Sequence, residues 1–562
     1  IKKKNMRQQI QIISRFLCMT MVCVYLVACS GQEDGNEKKT NEVEVTHRLN
    51  IKVNLLDYNE EEHEATRAAN TIPDTLGSKI LNIGNGLIAR MTISKDTAVA
   101  NNASRTRSLS IGTYTMMAFQ GNTYKGEVTG TVDWAGRFIY NPFDGLELSP
   151  GTYDFVLYND KVTRNGNNLS VTQANLKTAL IGRTTYTVSA SPERQQVEFK
   201  MKHCGLRIRI KWVSSLPISN PTGNFYTNIG VPATSVYDAA TGNWSMDSRD
   251  NRQLSMTYTG GSEYNWQTHE YTAISDYLYF LPAAPKNDIN FNCGEWTSSI
   301  HNKTFNSIIR LANISSLSSL DPNKSYVITL KFAYNCWYLM SDGTIGLTPE
   351  TTVWGGAKTP IGVVISRSKR LAAALAPNEK NTYIKWYTAG QSVQTNSMMY
   401  SYATMEGSFF DMNGYHYTWE DNGKGYDAIL RKGNNPQFPA FYYAGHYGEK
   451  LAQKVHLSNG METKKWHLPS MGEWVCFFKA FGGVTDASLK WTGTTWDASK
   501  LAYATYHQMG YNDLYSGDWF WSSTEINGGA GRVLPGMGFF KFHYTNKDND
   551  AFDNRVLPFI YY

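Results

Sequence analysis

Cysteine is the residue type in this sequence whose spacing restricts its chemistry most. The 562-residue chain has seven cysteines. Four of them lie far apart in the body of the chain, at Cys204, Cys293, Cys336 and Cys476. None of these four forms a CxxC or CxxxC pair, so a zinc cage is not predicted. One or two disulfides are possible in an oxidising compartment, and buried free thiols are the alternative.

The first 29 residues have the pattern of a bacterial signal peptide. Basic residues precede an apolar run, Phe16–Ala28, which is shorter than the ~20 residues that span a bilayer. The run ends in Leu26-Val27-Ala28-Cys29, which resembles a lipobox, in which the cysteine thiol is joined to a diacylglycerol. We therefore expect residues 1–29 to be a lipoprotein signal, Cys29 to be lipidated and the outer membrane to hold the anchor. Residues 30–46 are polar and predict a flexible tether.

Several other chemistries find no support in the sequence. The net charge of +6 comes from 54 basic and 48 acidic residues, without the clustered basic face that nucleic-acid binding requires. No Ser-His-Asp set, HExxH motif or phosphate-binding glycine loop is recognisable. The Glu-Pro-Asn and Gln-Pro-Asp tripeptides of calcium-dependent lectins are absent from residues 335–562. We expect no catalytic residues, no metal and no cofactor.

Aromatic residues in the last 230 residues are the strongest candidates for ligand contact. They lie beside Asp and Asn in three irregular insertions. Aromatic faces can stack on a sugar ring, neighbouring polar groups can bind its hydroxyls, and loop aromatics can equally anchor a protein. The candidates are Tyr415, Trp419, Asp421, Trp491, Trp496, Asp497, Tyr511 and Tyr515.

The elements that would position these residues are predicted to be mainly β-strands. Runs rich in Val, Ile, Thr, Tyr and Phe alternate with turn residues, and helical periodicity is scarce. A turn with Pro, Gly or Asn followed by a strand with an inward Tyr recurs at Tyr114, Tyr153 and Tyr326. The predicted strands include 49–56, 113–119, 153–158, 196–201, 206–212 and 326–332.

The segment from about His47 to Phe332 resembles the fimbrillin family of pilus subunits. The matching features are the lipobox, Glu64-Ala65-Thr66-Arg67-Ala68 after a first strand, and the Leu-x-Pro-Gly-x-Tyr-x-Phe-Val-x-Tyr-Asn phrase at 146–159. The resemblance implies two tandem, transthyretin-like β-sandwiches, which we place at 47–200 and 201–334. It also implies assembly with other pilus subunits by donor-strand exchange.

In that family an arginine-specific protease removes the first strand, and Arg67 is the matching site, with Arg48 as the alternative. Strand 49–56 alternates apolar and polar residues, which indicates a half-buried strand. A cut after Arg67 would release it with the lipid anchor and open a groove for another chain's strand.

The region from Asn335 to Tyr562 resembles the C-type-lectin-like, "major paralogous" domains of bacterial surface proteins. The matching motifs are W-x-L-P-S-x-x-E-W at 466–474, W-S-S-T-E at 521–525 and R-V-x-P-F at 555–559. We expect an α+β fold with a helix starting at Ser470, Glu473 in a capping box and Trp474 in the core. Glu473, Glu525 and Arg555 are expected to fix loops by charge-assisted hydrogen bonds.

These features favour a surface adhesin at the tip of such a pilus, because the lectin-like domain occupies the region that would supply a donor strand. Its receptor would be a glycan or a protein. A lipid-anchored binding protein that never polymerises is the alternative. The 466–474 segment also resembles formylglycine-generating oxidases, but Cys336 and Cys476 are too far apart in sequence to suggest their close cysteine pair.

Overall fold

The structure is a computed structural model. It describes residues 43–44, 49–60, 75–96, 112–141, 146–191, 195–227, 230–251, 253–283, 289–294, 296–310, 321–380, 382–388, 395–396, 402–420, 431–481, 489, 495–496, 499–512, 514, 517–536, 538–548 and 554–562. Seven of the predicted functional residues lie outside these ranges, namely Cys29, Arg48, Arg67, Asp421, Trp491, Asp497 and Tyr515.

The chain is mainly β, as predicted. The strands that precede residue 205 are β1 (Val43–Glu44), β2 (Leu49–Leu55), β3 (Thr75–Gly84), β4 (Leu87–Lys95), β5 (Thr113–Gln120), β6 (Thr123–Val132), β7 (Phe138–Tyr140), β8 (Glu147–Leu148), β9 (Gly151–Asn159), β10 (Thr163–Asn165), β11 (Asn168–Thr172), β12 (Leu180–Val188) and β13 (Gln195–His203).

The next strands reach residue 334. They are β14 (Leu206–Ser214), β15 (Ile218–Ser219), β16 (Gly223–Thr227), β17 (Val231–Asp238), β18 (Trp244–Asp250), β19 (Leu254–Ser255), β20 (Glu263–Asn265), β21 (Glu270–Ile274), β22 (Leu278–Phe280), β23 (Ile289–Cys293), β24 (Ser299–Ile300), β25 (Lys303–Thr304), β26 (Ser307–Arg310) and β27 (Ser325–Tyr334). All six strands predicted from the sequence are confirmed, within a few residues at each end.

The C-terminal region combines strands with short helices. Its strands are β28 (Trp337–Met340), β29 (Ile345–Leu347), β30 (Pro360–Ser366), β31 (Leu371–Ala374), β32 (Thr495–Trp496), β33 (Trp519–Ile526), β34 (Gly529–Gly536), β35 (Gly538–Thr545), β36 (Asn554–Arg555) and β37 (Phe559–Tyr561). Its α-helices are α1 (Met405–Ser408), α2 (Gly414–Trp419), α3 (Pro439–Gly445), α4 (Tyr447–Ala452), α5 (Met471–Ala480) and α6 (Ser499–His507). Among the described residues, 3₁₀ turns occupy Thr348–Glu350, Thr352–Trp354 and Lys432–Asn434.

The first large sheet has the strand order β2-β13-β12-β9-β5-β6-β7. The sheet curls until its two outermost strands meet. At the meeting point, Val53 N–H of β2 donates to Gly136 O, just before β7, at 2.7 Å. Tyr114 and Tyr153 point into the core that the sheet encloses, and each is almost fully buried. This confirms the inward tyrosines predicted after the recurring turn.

The second large sheet has the order β20-β21-β14-β27-β4-β3 and packs on the four strands β19-β16-β23-β26. Its last two strands come from residues 75–95, which the sequence-based boundary at residue 200 assigned to the first sandwich. They lie here because β4 pairs along its whole length with β27. Strand β11 of the first part likewise pairs with β17. The two sandwiches therefore exchange strands instead of following one another along the chain.

The predicted tether at 30–46 also needs a local correction. Val43 and Glu44 form β1, which pairs antiparallel with β8. The extended backbone of these two residues is held by the strand that precedes the Pro150 turn. The tether prediction for residues 30–42 lies outside the described residues.

Strand β4 joins the second sandwich to the C-terminal region because its two faces serve different cores. Leu87, Ala89 and Met91 face the second sandwich. Ile88, on the opposite face, packs in the C-terminal core, as expected for the period-two alternation of a strand. Arg90 lies on that same face, and its guanidinium stacks 4.7 Å from the ring of Trp354.

The C-terminal region contains two five-stranded sheets, β29-β28-β30-β31-β37 and β32-β35-β34-β33-β36, with helices around them. Helix α5 begins after Ser470, where the sequence predicted it. Glu473 accepts a hydrogen bond from the backbone N–H of Ser470 at 2.7 Å, which is one half of the expected capping box. Trp474 is fully buried in the core, also as predicted.

Candidate functional site

Strand β2 fills a slot at the edge of the first sheet. It pairs parallel to β13 over seven residue pairs, from Leu49 opposite Gln195 to Leu55 opposite Met201. Ile51 and Val53 are 2% and 1% exposed, whereas Asn50 and Lys52 face outward. The half-buried strand predicted from the alternation is therefore confirmed, and its removal would leave a row of apolar pockets with an unpaired edge on β13.

The other wall of the slot is the turn between β6 and β7. Gly136 has a φ of +75°, and a Cβ at that position would come within 2.5 Å of the Val53 carbonyl oxygen. Asp133 holds the turn by accepting from the N–H groups of Ala135 and Arg137 at 2.9 and 2.8 Å. These bonds to its charged form lower the pKa of Asp133, the Arg137 N–H contributing most. The turn is built to approach β2 closely.

The chain that follows β2 is fixed between the two sandwiches. The Tyr58 ring stacks on His203 with centroids 4.1 Å apart, and Arg207 lies 4.0 Å from the Tyr58 centroid. Burial raises the pKa of the Tyr58 hydroxyl. The Asn59 side chain accepts from Ser325 N–H and donates to Ser325 O, both at 2.9 Å. No part of the sequence analysis identified this anchor, because it joins residues more than 140 positions apart.

A cleft of about 810 Å³ opens beside this anchor. Its lining includes Glu60, Arg183, Lys202, Trp244 and Lys324. The guanidinium of Arg183 is already bound to Asp154 and to the carbonyl of Ala239. Glu60, the residue after Asn59, contributes to the wall of this cleft.

The sequence motifs on which the C-type-lectin-like resemblance rests have structural roles in the C-terminal region. Trp466, Trp474 and Trp521 are fully buried, and the Trp474 indole donates to the carbonyl of Trp521 at 3.2 Å. Glu473 accepts from Tyr561 at 2.7 Å and lies 3.0 Å from His467 Nε2. These contacts confirm the loop-fixing role expected of Glu473.

The other two charged motif residues form buried ion pairs. Glu525 binds Lys547 at 2.5 Å and also accepts from the N–H of Thr395. Burial lowers the pKa of Lys547, and Glu525 opposes that shift. Arg555 binds Asp518 at 3.0 Å. Both pairs hold loops against β33 in the second five-stranded sheet of the C-terminal region, in agreement with the sequence analysis.

Two of the predicted ligand residues lie together on helix α2. The Tyr415 ring is partly exposed and meets His467 edge-on at 5.9 Å. Trp419 donates from its indole N–H to Trp466 O at 2.8 Å, and Lys465 lies 4.6 Å above its ring. A Cβ on Gly445 would come within 2.9 Å of the Trp419 ring. Trp419 is thus packed on several sides, whereas Tyr415 keeps free surface.

Of the other predicted ligand residues, the structure describes Trp496 and Tyr511. Trp496 lies in β32, whose backbone pairs with Gly538 of β35. Tyr511 is 37% exposed, and its backbone N–H donates to Tyr506 O just after α6. Asp421, Trp491, Asp497 and Tyr515 are outside the described residues, so no convergence of the eight candidates is observed.

The three most exposed aromatic residues in the described part of the chain were missed by the sequence analysis. Trp134, Trp266 and Phe410 are 84%, 79% and 81% exposed. Trp134 lies in the turn beside the β2 slot. Trp266 contacts Tyr264 edge-on at 4.8 Å in the β20–β21 turn. The turn residues around Trp134 and Trp266 are a sequence signal for exposure of these rings. Phe410 has no such signal, because it directly follows the buried Phe409.

The described residues offer little for catalysis. The four cysteines at 204, 293, 336 and 476 are free thiols, so the alternative without disulfides holds. Burial raises the pKa of Cys336 to about 11 and also raises that of Cys476, which disfavours the thiolate needed for nucleophilic chemistry. Within the described part of the chain, no group of three His, Cys, Asp or Glu side chains could hold a metal ion. Among its helices, none is long and apolar enough to cross a membrane.

Comparison with known proteins gives distant structural likenesses only. No family model and no curated protein matches the sequence. A candidate cell adhesion protein from Bacteroides uniformis is 12% identical, over 39% of this chain and 86% of its own, with a TM-score of 0.29. A second one, from Bacteroides ovatus, is 13% identical over 51% and 95%, with a TM-score of 0.29. A fimbrial assembly protein from Parabacteroides distasonis is 9% identical over 44% and 94%, with a TM-score of 0.27. Similarity at this level carries no conclusion about the function of this chain.

Proposed function

We propose that this protein is a cell-surface adhesin that accepts another subunit's strand in place of β2 and recognises its receptor through residues 335–562. The observation that carries the proposal is the position of β2. It is buried on one face, parallel to β13 on one side and held by Gly136 on the other. A strand bound in this way can be replaced by a strand of similar pattern from another chain.

Processing would begin with attachment through Cys29 and end with a cut after Arg67. Strand β2 lies between these two positions in the sequence, so the cut would detach the lipid anchor and β2 on one fragment. Arg48 is the weaker site, because a cut before Leu49 leaves β2 joined to the rest of the chain. Loss of β2 would leave the β13 edge without its partner and ready for a pilus subunit's donor strand.

A position at the tip of the pilus is supported by the packing of β37 inside its own region. Phe559–Tyr561 pairs with β31 inside the C-terminal region, and Phe559 and Ile560 are fully buried. A segment held in its own sheet is not free to complete a neighbouring subunit. We propose that the subunit accepts a strand and ends the fibre.

The recognition surface of the lectin-like region is proposed to include Tyr415 and Tyr511, the candidates with exposed or partly exposed rings. Trp419 supports the position of Tyr415 on α2 through its bond to Trp466. Trp496 and the four candidates outside the described residues complete the proposed set. The ligand would be a glycan or a protein that offers a face to aromatic rings.

Strand uptake by the cleaved chain tests the proposal directly. The full chain, cut once between residues 61 and 74 by a site-specific protease, would be mixed with a labelled donor-strand peptide of a co-expressed pilus subunit. We expect the peptide to displace the β2 fragment from the cut chain and not from the uncut control. A cut chain that keeps its own fragment and takes up no peptide contradicts strand acceptance.

A lipid-anchored binding protein that never polymerises is the second candidate. It is favoured by the contacts on both sides of β2, because β1 pairs with β8 and Tyr58 is buried beyond the other end. These contacts would keep an uncut segment in place. Amino-terminal sequencing of the protein from native membranes separates the two candidates, since only the adhesin of a pilus should begin after Arg67.

A further inference from the structure

We infer that the acceptor site selects its partner strand with an aromatic–asparagine pair that follows the strand, in addition to the apolar pockets of the slot. This inference rests on the proposed function, because it concerns the strand that replaces β2. The resident segment shows what the site holds, namely Leu49–Leu55, then a turn, then Tyr58 and Asn59. A partner should carry the same pattern in the same direction, parallel to β13.

The aromatic pocket lies at the junction of the two sandwiches. Tyr58 is 5% exposed and lies flat on His203, with an angle of 4° between the rings. Arg207 is held between two aromatic rings, with Tyr58 on one side and Tyr277 on the other, each 4.0 Å from the guanidinium carbon. A planar side chain satisfies both contacts, whereas an aliphatic side chain would lose the cation–π attraction.

The pocket prefers a ring and does not require its hydroxyl. The Tyr58 hydroxyl oxygen is buried without a hydrogen-bond partner among the described residues. Phenylalanine would therefore fit as well as tyrosine. This property separates recognition of an aromatic face from recognition of a phenol.

Both polar atoms of the asparagine side chain form hydrogen bonds with the site. The Asn59 side chain bonds to the N–H and the C=O of Ser325, as a neighbouring strand would. Its φ of +68° belongs to the left-handed region that asparagine tolerates. Aspartate would place a carboxylate oxygen against the Ser325 carbonyl, so the site discriminates between these two similar residues.

The spacing between strand and anchor sets the register of the partner. Two residues, Leu56 and Asp57, separate the end of β2 from Tyr58. A one-residue slip would move the apolar side chains to the outer face and the aromatic ring out of its pocket. Beyond Asn59, Glu60 lines the cleft, which leaves room for the partner's chain to continue.

Peptide exchange on the full chain tests the inference. The chain carries a specific protease site between residues 61 and 74 and is cut once. Labelled peptides with the sequence of residues 47–60 then compete for the vacated site. Because the substitutions are in the peptides, Tyr58→Ala, Tyr58→Phe, Asn59→Asp and Asn50→Asp leave the folding of the chain unchanged.

We expect Tyr58→Ala and Asn59→Asp to weaken binding about tenfold or more, and Tyr58→Phe and Asn50→Asp to stay within about threefold of the parent peptide. Asn50→Asp is the matched control, since it makes the same chemical change on the exposed face of β2. Equal binding of all five peptides would overturn the inference and leave strand acceptance intact. If no peptide binds, including the parent, strand acceptance itself fails and the inference fails with it.

Discussion

Lys547 illustrates, at the scale of single residues, how charge is used inside the C-terminal region. Its side chain has no exposed surface and binds Glu525 at 2.5 Å. We expect Lys547→Met to lower the stability of this region by about 3–5 kcal/mol, because Glu525 would be left as an uncompensated buried charge.

Hydrogen exchange of β33 in the full chain measures this loss. The double variant Lys547→Met with Glu525→Gln should recover part of it, because the uncompensated charge is then removed. Wild-type protection of β33 in the Lys547→Met single variant would show that the ion pair is not required.

The buried carboxyl group of Asp411 should make the stability of the folded chain depend on pH. Its carboxylate accepts from Thr524 at 2.7 Å, yet burial raises its pKa above the ordinary 3.8 and the charge of Glu473 adds to the shift. The folded state therefore binds the proton more tightly than the unfolded state. The stabilisation of the folded state by this proton is complete below about pH 3.8. It is lost as the pH rises through the pKa of Asp411 in the folded state.

The comparison variant for this prediction is Asp411→Asn, which cannot ionise. The stability of the native chain relative to the variant should fall, by at most about 1.4 kcal/mol per pH unit, as the pH rises above 4. Urea unfolding followed by tryptophan fluorescence at several pH values measures the difference. A difference that does not change with pH would contradict a raised pKa.

At the scale of residues, the sequence predicted core positions better than surface ones. Trp474 is buried as expected, because a large apolar ring on a core-facing helix position has few alternatives to the core. The exposed Phe410 and the packed Trp419 were not separable by composition. Which face of an irregular loop meets solvent depends on distant segments such as Gly433 and Gly445.

The β6–β7 turn gives the clearest prediction at the scale of elements. A Gly136→Ala substitution places a methyl group against the Val53 carbonyl and strains a φ of +75°. We expect release of β2 from the cut chain to become faster, by a factor that corresponds to about 1–3 kcal/mol.

Gly121→Ala provides the matched control for this turn. Gly121 has a φ of +58° in the β5–β6 turn, and a Cβ there would meet nothing within 4 Å. The control variant suffers the backbone strain without touching β2, and it should release the strand at the native rate. Equal acceleration in both variants would assign the effect to strain alone.

Elements were predictable where a local pattern defines them. Helix α5 begins after Ser470 because Glu473 satisfies the backbone N–H of this N-cap residue, and that signal is contained in four residues. The partners of a strand are not local. Nothing in the alternation of β4 indicates that it pairs with β27, more than 200 residues later, instead of with the neighbouring β5.

Gln508 is one of the residues that join the second sandwich to the C-terminal region. Its side chain accepts from Tyr334 N–H at 3.0 Å and donates to Tyr334 O at 2.9 Å and to the Tyr338 hydroxyl at 2.6 Å. We expect Gln508→Leu to weaken the joint by about 1–3 kcal/mol, because buried backbone groups of Tyr334 lose their partners.

Faster amide exchange at Tyr334 would report the weakened joint. The exposed Gln437→Leu should leave that exchange unchanged. Unchanged protection in the Gln508 variant would mean that the Gln508 side chain is not needed to hold the joint.

The domain arrangement was the least predictable property at this scale. Strand composition predicted a mainly β chain, whereas the two sandwiches and the C-terminal region were expected only from the family resemblances. The sharing of strands between sandwiches came only with the pairing of β3 and β4 in the second sheet. A boundary drawn along the chain assumes that each unit uses consecutive residues, and this fold does not.

The placement of β27 determines how this molecule would respond to being pulled. The strand runs directly into the C-terminal region and lies between β14 and β4, paired with one in parallel and with the other antiparallel. Tension applied between the C-terminal region and the sandwiches along the axis of β27 would strain its hydrogen bonds together in shear instead of opening them one after another. Separation of the C-terminal region in this direction would thus require many hydrogen bonds to break at once.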